Sequence, residues 1–119
     1  MNIELRCVPK PRMTKADAWK KRHIVCNYWL FSDKLRLACK AFELHDSYSA
    51  TFYFAMPARW SKKKRIEMIG KAHQDRPDID NCIKSIQDVL RPGDDQMIYS
   101  VHAMKMWAER DCIVLENRI

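Results

Sequence analysis

The chain has 119 residues, with 22 Lys/Arg against 15 Asp/Glu, a net charge of +7 and 47% hydrophobic residues. That length suits one domain with one core, and the apolar share argues against a disordered chain. No apolar run approaches the ~18–20 residues that span a membrane. The opening "MNIELRCVPKPR" lacks the apolar block of a signal peptide, so a cytoplasmic protein without a membrane partner is expected.

"NIELRCV" (Asn2 to Val8) alternates as a first strand. The stretch "PKPRMTKADAWKKRH" carries two prolines and six basic residues, Lys10, Arg12, Lys15, Lys20, Lys21 and Arg22, and reads as an extended basic loop. Tyr28, Phe31, Leu35, Ala38, Cys39 and Phe42 then fall at helical spacing and make one apolar stripe. "SYSATFYFAM" (Ser47 to Met56) is the clearest strand, with Ala50, Phe52, Phe54 and Met56 on one face until Pro57 stops it. A basic insert follows, with a short helix expected around Lys62 to Ile69. From Arg59 to Arg76 its seven Lys/Arg against Glu67 and Asp75 give +5.

A second helix runs through "IDNCIKSIQDVL", its stripe formed by Ile79, Ile83, Ile86 and Val89/Leu90. Asp78 or Asp80 can cap its start, and Pro92-Gly93 ends it. "MIYSVHAMKMW" and "CIVLENR" close the chain as strands, with "AERD" as a hairpin-type link. The order β, α, β, basic insert, α, β, β gives a small single-domain α/β (α+β) fold over residues 1–119. It has a mixed sheet of about four strands packed by two main helices. The five cysteines, Cys7, Cys26, Cys39, Cys82 and Cys112, form no CxxC and read as reduced, mostly buried thiols.

Against the positive balance, which favours nucleic acid as partner, the segment from Arg76 to Gln96 gathers carboxylates. Asp80, Lys84 and Asp88 stand at i, i+4, i+8 on one helix face. Asp78 precedes that helix. Asp94 and Asp95 follow it, and the next strand could return them toward Asp78 and Asp80. Carboxylates brought together repel and raise one another's pKa, which a bound divalent cation relieves. Mg²⁺ takes oxygen ligands and keeps several waters. It can supply a hydroxide nucleophile and polarise a phosphoryl oxygen. The same residues also allow plainer roles: an N-cap, a solvated ion-pair ladder, and an ordinary Pro-Gly-Asp turn.

"RPDIDNCIKSIQDVL" followed by "DDQMI" resembles the RusA family of Holliday junction resolvases. The matching pattern is Asp78-x-Asp80-Asn81, Lys84, Asp88-x-Leu90, and Asp94, Asp95 and Gln96 leading into a strand, after "PKPRMT" near the start. The resemblance implies a Mg²⁺-dependent endodeoxyribonuclease, with Mn²⁺ as a possible substitute. It would act as a homodimer and cut four-way DNA junctions by paired symmetric nicks, in a bacterial host's cytoplasm if phage-encoded. It implies Asp78, Asp80 and Asp95 as metal-binding catalytic carboxylates and Lys84 as the active-site lysine. Asp94, Asp88 and Asn81 would support them. The interval from Leu90 to Asp94, only "RPG", is shorter than in many relatives.

Lys10, Arg12, Lys62, Lys63, Lys64, Arg65, Lys71, Arg76 and Lys105 are the candidate nucleic-acid contacts. Trp60, set among them, is the candidate for stacking on unpaired bases. Two competing functions remain open at this level. One is a non-enzymatic basic nucleic-acid-binding protein, and the other is a nuclease for other branched DNA such as forks or flaps.

Overall fold

The computed structural model describes residues 1–12 and 23–118. Lys15, Trp19, Lys20, Lys21 and Arg22 of the basic loop lie outside them. The described elements run β1 (Asn2–Ile3), α1 (His23–Ala38), β2 (Ser47–Ala55), α2 (Lys62–Met68), α3 (Ile79–Leu90), β3 (Ser100–Ala108) and β4 (Cys112–Asn117). They form the expected α+β arrangement: a mixed four-stranded sheet in the order β1-β4-β2-β3, with helices packed on it.

β2 is an interior strand and, unlike β3 and β4, carries no charged residue. β3 runs parallel to it and β4 antiparallel. Tyr48, Ala50, Phe52, Phe54 and Met56 are buried on one face, where Tyr28, Phe31 and Leu35 of α1 and Cys82, Ile86 and Val89 of α3 meet them. The register places Phe52 between Lys105 and Ile113, and Phe54 beside Trp107. Lys105 therefore emerges on the helix-covered face, not the open one.

Five sequence expectations are corrected. The "AERD" segment is no hairpin, because β2 lies between the strands it joins. It passes over the end of β2, where Asp111 Oδ1 accepts from Ala55 N at 2.9 Å and Ala108 O accepts from Met56 N at 3.0 Å. β1 stops at Ile3 instead of reaching Val8, since β4 extends only one residue, Cys112, beyond the Ile3–Ile113 pair, and the chain turns there with Leu5 N donating to Ile3 O at 2.9 Å. The last parallel strand begins at Ser100, and "DQM" (Asp95–Met97) is a 3₁₀ turn. On α3 the buried face is Cys82, Ser85, Ile86 and Val89, while Ile79 is exposed. Burial of Ser85 is tolerated because its hydroxyl lies 2.8 Å from Val8 O and 3.0 Å from Asn81 O. α1 likewise ends at Ala38, with Cys39 buried and Phe42 half-buried beyond it.

The end of α3 matches its turn chemistry. Gly93 has φ +83°, a conformation open to glycine without strain. Arg91, at the C-cap, donates to Leu44 O at 2.8 Å and Asp46 Oδ1 at 2.8 Å. No helix among the described residues is long and apolar enough to cross a membrane.

Candidate functional site

The carboxylates of the Arg76–Gln96 segment separate into three groups. The first is at the start of α3. Asp78 occupies the N-cap position with extended backbone, yet its side chain makes no capping hydrogen bond. Capping therefore does not occupy its carboxylate. Asp80 lies in the first helical turn. Both side chains are exposed, and neither has a hydrogen-bond or ion-pair partner among the described residues. The unsatisfied N–H groups and positive end of the helix dipole favour negative charge at this place.

Asp78 and Asp80 line one open pocket of ≈ 530 Å³ with His73, Asp75, Arg76 and Lys105. Asp78 and Arg76 also line an adjoining pocket with Arg6, Cys7 and Asn81. Cations thus rim two carboxylates that form no ion pair among the described residues. Lys105 is committed: its Nζ donates to Asp75 O at 2.6 Å and to Pro77 O at 2.6 Å. It fastens the loop that carries Asp78 to strand β3.

The second group lies one turn farther along α3. Lys84 Nζ donates to Asp95 Oδ2 at 3.1 Å and pairs with Asp88 Oδ1 at 3.2 Å. Lys10 Nζ stands 3.0 Å from Asp88 Oδ2, near enough for charge pairing but outside hydrogen-bond geometry. The hydrogen bond from Lys84, and then its charge, hold the Asp95 carboxyl below the usual carboxylate range. The bonds to Asp95 and then Asp88 raise the Lys84 ammonium in turn. The ladder expected from spacing is therefore partial, since Lys84 turns to Asp88 and Asp95 and leaves Asp80 open. In the third group Asp94 accepts from Arg91 Nε at 3.1 Å, beside Asp46. Among the described residues no three His, Cys, Asp or Glu side chains stand together as a ready metal cluster. Asp78 and Asp80 share one pocket, while Asp95 faces Lys84 and Asp94 faces Arg91.

The cations of the insert behave differently from Lys10 and Lys105. Lys62, Lys63, Lys64, Lys71 and Arg76 are exposed, Arg65 is half-exposed, and none forms an ion pair among the described residues. Arg12 is exposed as well. Trp60 is not a free stacking platform. Lys64 Nζ sits over its ring at 4.3 Å, and its ring centroid is 4.8 Å from that of Trp107.

Sequence reading passed over His73. It is buried at 3% exposure, stacked on Phe54 at 4.2 Å and tilted against Trp107 at 4.3 Å, and its Nδ1 has no hydrogen-bond partner. No periodic signal marks it, because it sits in an irregular loop and is buried by Phe54 and Trp107 from the sheet. Burial, followed by the charge of Lys105, pushes its pKa down. The unfolded chain takes up that proton near pH 6.5, whereas the folded protein takes it up only at lower pH. Stability is therefore full above about pH 6.5 and is lost as pH falls toward the folded-state value. Thermal melts between pH 8 and 5 are expected to show this fall, and His73→Phe, which keeps the stack, is expected to flatten it. An unchanged slope in the variant would locate the proton uptake elsewhere.

The chain matches the family model described as endodeoxyribonuclease RusA over residues 28–116, which include α3, the acidic segment and the insert. A search of curated proteins finds no match. The chain belongs to the RusA family of Holliday junction endodeoxyribonucleases, nucleases that act on branched DNA and generally use a divalent metal ion.

Proposed function

We propose that this RusA-family chain is a Mg²⁺-dependent nuclease that works as a homodimer and cuts four-way DNA junctions by paired symmetric nicks. Residues 1–119 would form a single endonuclease domain, active in the cytoplasm, that of a bacterial host if the gene is phage-borne. The observation that carries this reading is the pair Asp78 and Asp80: two exposed carboxylates in one pocket, without a partner among the described residues, inside a strongly basic chain.

The donor set fits the ion. Mg²⁺ is commonly bound by one or two carboxylates, retained waters and substrate phosphates, and Mn²⁺ accepts the same oxygen ligands. When bound, such an ion supplies Lewis acidity at the phosphodiester and neutralises developing charge. Asp78 and Asp80 hold it from the N-terminal end of α3. Asp95 is the third carboxylate, kept ionised by Lys84, whose position is one helical turn beyond Asp80. Lys84 and Asp88 set the direction of Asp95, with Asp94 anchored behind it through Arg91 and Asn81 beside Asp78 on the pocket wall. Lys105 holds the Asp75–Pro77 loop so that Asp78 meets Asp80. Arg76, Lys71 and the cluster Lys62 to Arg65 take phosphates, and Lys10 and Arg12 extend that surface.

A second copy is consistent with the open face of the sheet. Thr51, Tyr53, Met104, Met106, Cys112 and Val114 alternate there with the buried set and make an uncharged patch, with His102 and Glu116 at one end of the same face. A four-way junction is close to two-fold symmetric, so two matched cuts need two sites. The test is a nicking assay on labelled four-way junction, fork, flap and linear duplex, with Mg²⁺, Mn²⁺ or EDTA. Symmetric nicks in the junction with Mg²⁺, absent with EDTA and from the duplex, are expected. Equal cutting of the duplex, or binding without cutting under all conditions, would overturn the reading.

A further inference from the structure

Helix α2 is built unlike the other helices. None of its residues is buried, although Ser61 caps it by accepting from Lys64 N at 3.2 Å. Its inner side carries the half-buried Arg65 and Met68, with Met68 against the core and Lys64 alongside over the Trp60 ring. At 100° per residue, Lys62, Lys63, Ile66 and one acidic residue, Glu67, fall on the outward side, and Ile69 follows at the helix end. Exposure agrees: Ile66 is 68% exposed and Ile69 46%. Two branched apolar side chains therefore stand in water on an outward face, in a setting of lysines with no ion-pair partner among the described residues.

Single exposed apolar residues are ordinary. The pairing of these two with uncompensated cations is what selects a partner. A membrane-spanning or purely apolar partner would leave Lys62 and Lys63 desolvated and unpaired. Branched DNA satisfies both groups: phosphates meet the cations, and the unstacked base step at a branch point accepts an apolar side chain. Isoleucine is among the side chains that proteins insert between base steps. From this we infer that α2 is a branch-point wedge, in which Ile66, supported by Ile69, enters the base stack at the junction centre while Lys62 and Lys63, one turn before it, hold the flanking phosphates. The inference rests on the branched-DNA reading and adds how the branch is told from ordinary duplex.

The test places 2-aminopurine at the centre of a synthetic four-way junction and follows its fluorescence as protein is added in EDTA. Anisotropy of a fluorescein-labelled copy reports binding in parallel. The unmodified protein is expected to raise 2-aminopurine fluorescence severalfold, as unstacking does. Ile66→Ala is expected to lose most of that rise and about 5- to 10-fold in junction affinity, with linear-duplex affinity and melting temperature unchanged. Ile66→Met, which keeps an apolar side chain, is expected to restore it. Binding without a fluorescence rise, or a rise that persists in Ile66→Ala, would overturn the wedge and leave the nuclease reading intact. Failure to bind the junction at all would overturn both.

Discussion

Asp80→Asn is expected to abolish metal-dependent junction cutting while leaving the fold and junction binding in place. The two halves of this outcome have separate causes. Asn keeps the size and one oxygen but removes the negative charge, so a divalent cation loses half of the unpartnered carboxylate pair that could hold it. Loss of a group that only supports a ligand typically costs about 10–100-fold. Loss of a ligand itself is expected to exceed this, roughly 10³-fold in cutting rate. Stability should hardly move, because Asp80 is exposed and makes no hydrogen bond or ion pair among the described residues. The lost attraction to the helix dipole is offset by relief of repulsion from Asp78. Single-turnover cutting, anisotropy with the uncut junction and a thermal melt measure the three quantities. Normal cutting by the variant would make Asp80 a helix-start residue and nothing more. A large fall in melting temperature would mean that its role is structural.

The sequence showed most of the elements and part of the site, and the boundary between the two has a physical reason. β2 was legible because Ala50, Phe52, Phe54 and Met56 alternate without interruption, and α3 because Asp78 and Pro92-Gly93 bracket a periodic run. Which face of α3 turns inward was not legible. Ile79 and Ile83 outweigh Cys82 and Ser85 in hydrophobicity, and burial of Ser85 depends on Val8 O, a partner 77 residues away. Strand order failed for a similar reason. A three-residue link between strands ordinarily signals a hairpin, and only the pairing of β4 with β2 on the side away from β3 excludes it.

At the site, spacing along one helix placed Lys84 within reach of both Asp80 and Asp88. It could not say that Asp95 would take one of its hydrogen bonds. Lys105 was identifiable as a lysine late in its strand. That its ammonium serves backbone carbonyls followed only from the parallel register that sets it beside Phe52.

That placement makes Lys105→Met the more informative loss. The lysine is half-buried, and its ammonium donates two short bonds, each 2.6 Å, to Asp75 O and Pro77 O. The next residue after Pro77 is Asp78. Hydrogen bonds to a charged group contribute about 1.5–3 kcal/mol each where they are shielded, and partial exposure lowers that figure. A destabilisation of about 2 kcal/mol is therefore expected when methionine, which keeps the apolar stem, removes the charge. The functional effect should be larger than this suggests. A displacement of about 1 Å in a positioning group can cost on the order of 10²-fold in rate, and release of the loop shifts Asp78 relative to Asp80. The expected result is a 10- to 100-fold slower cut, a higher Mg²⁺ concentration for half-maximal rate, and nearly unchanged junction affinity. Lys105→Arg, whose guanidinium also donates to carbonyls, should recover part of the rate and of the metal response. The opposite pattern separates the two roles open to this lysine. Weaker junction binding with a steeper loss at high salt, and a metal response unchanged from the native protein, would make Lys105 a phosphate contact instead of the clamp on the Asp78 loop.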